Sequence, residues 1–240
     1  VLYSGAAVCG GGITVNPYFK DDAVTIYLGD CREILPTLGK FDLLLTDPPY
    51  LVGAKSCGLA GNRQYLKDIS TVEIDKGFDL SVLDCSENWF CFCGKQQIPE
   101  ILGKAILGNW MLITWGKANP TPLVNSNYLP DTEYIFHKWT KGRLFGDYKD
   151  KSRFFFSQSG KSVFDHPTVK PINLIAKLIR LGTQQGETIL DPFAGSGTTG
   201  RAAKDMGRNA VLIEREEKYC EIAAKRMSQQ VFDFSQEMDR

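Results

Sequence analysis

Apolar and polar positions along this chain follow two periods, one suited to strands and one to helices, and the two alternate almost throughout. Residues 23–28 read as a strand ending at Gly29-Asp30, and residues 32–38 as a short helix with Ile34, Leu35 and Leu38 on one side. The apolar run 41–46 is a buried strand that feeds directly into Asp47-Pro48-Pro49-Tyr50. After a polar, glycine-bearing stretch over 51–84, residues 89–93 form a strand, 98–107 a helix, and 111–115 and 133–139 two more strands. Pro171 opens a helix that runs through Leu181, with Gly182 placed to close it. A strand over 188–190 enters a glycine-rich turn over 191–200, and the helix that follows stops at Gly207. The last strand, 210–213, ends at Glu214, and Tyr219, Ile222, Ala223 and Met227 share one face of the final helix. Seven strands alternating with helices predict an α/β domain with a mostly parallel sheet and helices on both faces.

A chain of 240 residues with 43% hydrophobic content is long enough for one such domain and is not disordered. No apolar run approaches the roughly 20 residues that cross a bilayer, and the first residues lack the basic start and apolar stretch of a signal peptide. A soluble, cytoplasmic protein is expected. Cysteines stand at 9, 31, 57, 85, 91, 93 and 220 without a Cys-x-x-Cys pair, which argues against a disulfide framework. Cys91 and Cys93 would point to one face of a strand as small core thiols. With His137 and His166 the only histidines, no zinc site is expected. Formal net charge is zero, so any polyanion must be met by a local basic cluster. Lys141, Arg143, Lys149, Lys151 and Arg153 make one, opposed by Asp147 and Asp150, and they are the candidate nucleic-acid contacts.

The turn Asp191-Pro192-Phe193-Ala194-Gly195-Ser196-Gly197-Thr198-Thr199-Gly200 lies between a strand and a helix. Glycines there let the backbone approach a ligand, and the helix start offers N–H groups. Gly195, Gly197 and Gly200 satisfy G-x-G-x-x-G, and Glu214 could accept from a ribose diol, so a dinucleotide reading stands beside an S-adenosylmethionine reading. Asp191 favours the second: it would repel a pyrophosphate and suit the ammonium group of a methionine moiety.

Asp47-Pro48-Pro49-Tyr50 sits at the carboxyl end of a strand, where open α/β sheets bind ligands. Prolines have no N–H, so the backbone there presents carbonyl oxygens. The Asp47 carboxylate and a neighbouring carbonyl can accept both hydrogens of an amino group, and Tyr50 offers a flat surface for a base. The exocyclic nitrogen of a base is a poor nucleophile because its lone pair is delocalised into the ring. Two acceptors draw it toward tetrahedral geometry and localise that pair for attack on a sulfonium methyl. A base in a duplex must be flipped out to reach such a site, at a cost of a few kcal/mol that stacking on Tyr50 partly offsets.

Here the residues resemble a family. Gly29-Asp30-Cys31, Asp47-Pro48-Pro49-Tyr50, Trp115-Gly116-Lys117-Ala118-Asn119-Pro120, His166-Pro167-Thr168-Val169-Lys170-Pro171, the 191–200 loop and Glu214 are similar to the motifs of the beta-type, circularly permuted DNA amino-methyltransferases. The resemblance implies a single Rossmann-like methyltransferase domain with a seven-stranded sheet. Its catalytic half would span 14–139, a short basic recognition segment 140–165, and a cofactor half 166–231. Asp47, Pro48, Pro49 and Tyr50 would be catalytic. S-adenosylmethionine would meet Asp30 and Cys31 at its adenine end, Asp191, Pro192, Phe193, Gly195, Ser196, Gly197 and Thr198 along the loop, and Glu214 at the ribose. Thr168 and Lys170 look like contacts to its carboxylate. Read from the residues alone, Lys170 is a solvated charge before a helix. Val169 stands where the family more often has glutamine.

The resemblance further implies double-stranded DNA as partner, with a homodimer left open and no metal. Asp at 47 favours adenine N6; the cytosine N4 enzymes more often resemble Ser-Pro-Pro-Tyr. Cytosine N4 methylation is the alternative within the fold, and a nucleic-acid-binding protein without transfer is the alternative from another class.

Overall fold

The computed structural model describes residues 15–50, 77–120, 128–158 and 169–229, and the elements below lie within them. The strands are β1 (Phe19–Lys20), β2 (Val24–Leu28), β3 (Leu43–Thr46), β4 (Trp89–Cys93), β5 (Asn109–Lys117), β6 (Thr132–Trp139), β7 (Phe154–Ser157), β8 (Thr188–Asp191) and β9 (Asn209–Glu214). The helices are α1 (Cys31–Ile34), α2 (Ile98–Ala105), α3 (Ile172–Gly182), α4 (Thr198–Asp205) and α5 (Glu217–Ser228). One mixed sheet orders the strands β1-β2-β9-β8-β3-β4-β6-β5-β7. The run β2-β9-β8-β3-β4 is parallel, β6 is antiparallel to both β4 and β5, and β7 lies parallel to β5.

Seven of these strands stand where the hydrophobic pattern puts them. The expected count of seven is corrected to nine among the described residues, by β1 and β7. β1 has two residues, too few for a period, and is tied to β2 by Asp21, whose Oδ1 accepts from the N–H groups of Ala23 and Val24. β7 carries Phe154, Phe155 and Phe156 in succession, so its two faces do not differ in polarity. Phe154 and Phe156 are exposed on this last strand of the sheet, and only Phe155 packs inward.

The central strands are buried on both faces, which is why they read as continuous apolar runs rather than alternating ones. Leu43, Leu45, Phe90, Phe92, Ile189 and Leu212 join one core, beneath α3, α4 and α5. Leu44, Trp89, Cys91, Cys93, Leu190 and Ile213 join the other, beneath α1, α2 and the 3-10 turn Leu80–Cys85. Cys91 and Cys93 thus share a face in the interior. Gly182 differs from its expected role as a stop signal: it is the last helical residue, and Thr183 is the C-cap. A Cβ at Gly182 would lie 2.9 Å from Leu43 and 3.0 Å from Phe90, so its missing side chain lets α3 press onto the sheet.

From β3 the chain moves on to β4 on one side, and from β8 to β9 on the other, so the carboxyl ends of β3 and β8 form a switch point. Four neighbouring parallel strands each deliver an acidic residue at or just beyond this edge: Asp30 after β2, Glu214 on β9, Asp191 on β8 and Asp47 after β3.

Candidate active site

The carboxyl ends of these strands open into a cavity of about 660 Å³, lined by both the Asp47–Tyr50 segment and the Asp191–Thr199 loop. The two stretches sit side by side because β3 and β8 are hydrogen-bonded neighbours, with Leu43 opposite Ile189 and Leu44 opposite Leu190.

On the Asp47 side the charges form a closed cluster. Lys170 Nζ lies 2.7 Å from Asp47 Oδ2 and 3.1 Å from Glu133 Oε2. The Tyr50 hydroxyl donates to Asp47 Oδ1 at 2.8 Å or to Glu133 Oε2 at 3.1 Å, and accepts from Lys170 Nζ at 3.2 Å. Lys117 holds the other Glu133 oxygen at 2.6 Å. Burial would raise the Glu133 carboxyl, but Lys170 and Lys117 outweigh it and hold it at about 2. Burial raises the Asp47 carboxyl against the pull of Lys170. Burial would lower the Lys170 ammonium, yet Asp47 and Glu133 raise it above the usual lysine value. The Tyr50 hydroxyl is pushed well up, first by burial and then by the two carboxylates, so it keeps its proton. Gln97 braces the segment, its Nε2 donating to the Pro49 carbonyl at 3.0 Å while its Oε1 accepts from Gly94 N–H at 3.1 Å.

On the other side Asp191 is buried and accepts from the Thr199 hydroxyl at 2.6 Å and the Phe193 N–H at 3.2 Å. No lysine or arginine pairs with it among the described residues, and burial pushes its carboxyl up to about 7. Glu214 accepts from Gly195 N–H at 2.8 Å and from Glu216 N–H at 2.9 Å, and burial raises its carboxyl too. Asp30 caps α1 through the Arg32 N–H, and its hydrogen bonds to Arg32 hold it at about 2. Phe193 meets Phe78 edge-on at 6.0 Å across the mouth. Arg226, buried on α5, straps the loop by donating to the Ser196 carbonyl at 2.6 Å and to the Thr198 hydroxyl at 3.2 Å. Thr46 Oγ1, buried in the same wall, has no hydrogen-bond partner.

The Asp47–Tyr50 turn and the glycine loop thus face one cavity from adjacent strand ends. A sequence model described as DNA methylase, of the N6/N4 type, matches residues 41–225. The chain belongs to this DNA methylase family. It is 27% identical over 250 residues to the type II methyltransferase M2.MboI of Moraxella bovis, covering 88% of this chain and 91% of that one. The solved structure of an M1.HpyAVI–SAM complex is similar at 28% identity and a TM-score of 0.60, covering 85% of this chain and 99% of that one. The fold is also that of the PvuII DNA methyltransferase (cytosine-N4-specific), with a TM-score of 0.65 at 17% identity over 92% of this chain and 91% of that one.

In this DNA methylase the cavity is lined by Asp30, Cys31, Asp47, Pro48, Pro49, Tyr50, Lys170, Asp191, Pro192, Phe193, Gly195, Ser196, Thr198 and Glu214 of the expected set. Gly197 is not among the lining residues. It adopts φ +76°, and a Cβ there would lie 2.8 Å from Ala223 Cβ, so it serves the packing of the loop against α5. Thr168 lies outside the described residues. Lys170 is not the solvated charge its position suggests: it is buried, and its ammonium group faces Asp47, Glu133 and Tyr50.

Lys141, Arg143, Lys149, Lys151 and Arg153 do not line the cavity. Arg143 pairs with Glu187, just before β8, at 2.6 Å and reaches the carbonyls of Asp42, just before β3, and Gly182, at the end of α3. Lys141 follows β6 at the same far edge, where the Thr140 N–H donates to Asn88 before β4. Lys149 and Lys151 are exposed near Asp150, which pairs with Arg180 late in α3. Exposed Arg153 reaches Met111 near the start of β5.

Glu133, Gln97, Phe78 and Arg226 went unnoticed in the sequence. Glu133 opens a strand of seemingly ordinary composition. Only the antiparallel direction of β6 carries its first residues to the edge where the parallel strands end.

Proposed function

We propose that the chain transfers a methyl group from S-adenosylmethionine to adenine N6 of a base flipped out of double-stranded DNA. The observation that carries this reading is the shared cavity in which Asp47 and Asp191 arrive on adjacent strands. The residues fit the cofactor. Asp191 is a buried carboxylate without a cationic partner among the described residues, which an ammonium group would supply, and Glu214 is a half-buried acceptor at the ribose position. Asp30, Phe193 and the Gly195 backbone complete the wall on that side. When bound, the cofactor supplies a methyl group on a positively charged sulfur.

The protein's part is orientation. The Asp47 carboxylate and the Pro48 carbonyl accept the two amino hydrogens, which localises the nitrogen lone pair toward the cofactor side of the cavity. Tyr50 stacks on the base. Fixed geometry contributes most of the acceleration, and the excess proton passes to Asp47 or to water once the new bond forms. DNA reaches the cavity through backbone contacts that carry no sequence information. Within the single domain, 14–139 is the catalytic half, which also lends Asp30 to the cofactor, 166–231 is the cofactor half, and 140–165 is the segment left for target recognition.

The test is transfer of tritium from labelled S-adenosylmethionine to duplex DNA, followed by digestion to nucleosides. N6-methyladenine is expected; N4-methylcytosine would overturn the choice of base. Asp47→Ala should lower the transfer rate by about 100-fold or more while cofactor affinity stays within a few-fold. Undiminished transfer by that variant would remove Asp47 from the chemistry.

A further inference from the structure

Both oxygens of Asp47 are engaged within the protein. One of its oxygens faces Lys170 at 2.7 Å and the other accepts the Tyr50 hydroxyl at 2.8 Å. An arriving amino hydrogen competes with these two donors for that carboxylate. Both have somewhere to go. Lys170 Nζ and the Tyr50 hydroxyl each lie 3.1 Å from Glu133 Oε2 as well. We infer that Glu133 is a positioning carboxylate that takes over Lys170 and Tyr50 from Asp47, freeing Asp47 to accept the amino hydrogens of the target base. The inference rests on the proposed role of Asp47.

Three features suit Glu133 to this exchange. First, its Oε1 is anchored by Lys117 at 2.6 Å, and Glu133 and Trp115 are directly opposed in the β5–β6 pairing, so the carboxylate is held while Oε2 faces the cavity. Second, the charges balance: Lys117 and Lys170 face Asp47 and Glu133. Without Glu133, the buried Lys170 and the half-buried Lys117 would have one carboxylate between them, and Lys170 would hold Asp47 fast. A buried cation stripped of its acceptor is costly, whereas a cation passed between two acceptors a few tenths of an ångström apart in distance is not. Third, the Tyr50 hydroxyl stays hydrogen-bonded after the exchange, so its ring need not swing away as the base arrives. Glu133 touches no reacting atom; it acts through Lys170 and Tyr50.

Single-turnover methyl transfer by Glu133→Gln tests this, with cofactor and DNA dissociation constants measured on the same protein. The expected result is a rate about 10- to 100-fold below wild type, with both dissociation constants within twofold. Glu133→Asp keeps the charge but withdraws the carboxylate by one methylene, and should fall between the two. A purely structural role would lower cofactor affinity, melting temperature and rate together, and the aspartate would rescue none of them. Should the glutamine variant fail to fold, the aspartate variant is read alone, with a loss of about threefold to tenfold in rate and unchanged binding expected. A wild-type rate in whichever variant is read overturns the inference, as does a rate loss matched by lost cofactor affinity. A wild-type protein that binds the cofactor but methylates no DNA overturns the proposed function itself, a result distinct from any Glu133 outcome.

Discussion

A carboxylate that burial has pushed up to about 7, beside hydroxyl and N–H donors but no cation among the described residues, is poised to respond to its ligand. That is Asp191. Its folded value lies above the ordinary 3.8, so in the free protein it contributes stability that is fully present below pH 3.8 and is lost as pH rises through 7. A ligand with an ammonium group reverses the preference, because it binds the ionised form. Affinity for S-adenosylmethionine should therefore weaken as pH falls below 7, approaching about tenfold per unit, and calorimetry in buffers of different ionisation enthalpy should register proton release. Asp191→Asn should flatten that acid limb; an unchanged limb would show that another group is titrating. At this scale the sequence speaks clearly where a residue's place on its own strand fixes its surroundings. Asp47, Asp191 and Glu214 are legible because each ends a predicted strand. Glu133 is not, because its partners come from other elements and no local pattern records the pairing direction that brings them together.

At the scale of elements, the glycine loop is as much a packing device as a ligand cradle. A Cβ at Gly200 would lie 2.6 Å from Leu212 Cδ1 and 3.4 Å from Met227 Sδ, so its bare backbone lets α4 settle between β9 and α5. Gly200→Ala gains about 1 kcal/mol of helix propensity but overfills a buried contact, which costs about 1–3 kcal/mol. A net loss of about 1 kcal/mol is expected, read as a melting temperature roughly 2–4 °C lower. An unchanged or higher melting temperature would mean that Leu212 yields freely. The G-x-G-x-x-G spacing was readable, but its division of labour was not: Gly195 donates to Glu214, while Gly197 and Gly200 make room for α5 and Leu212. Sequence spacing locates such a loop, and only the helix packed behind it says which glycine serves which neighbour.

For the molecule as a whole, zero formal charge leaves DNA attraction to local groups. Arg143 is the least suited of the basic residues to provide it, since it makes a two-pronged pair with Glu187 at 2.6 and 3.0 Å on the edge away from the cavity. Arg143→Met should cost about 1–2 kcal/mol of stability by leaving Glu187 without its partner. The slope of log affinity for DNA against log salt should not change, whereas loss of a phosphate contact would reduce it by about 0.9. A reduced slope would return Arg143 to the DNA interface. The overall α/β order was legible because helix and strand periods alternate cleanly. The sheet's outer strand β7 escaped because three successive phenylalanines erase the difference between its two faces.

The pairing of β3 with β8 also sets a tolerance. Two ladder steps, Leu43 with Ile189 and Leu44 with Leu190, fix how far Asp47 stands from Asp191. Each residue of slip along a strand is about 3.3 Å, so one step of slip would displace the two carboxylates by that much, and their spacing is set by four residues that line no part of the cavity.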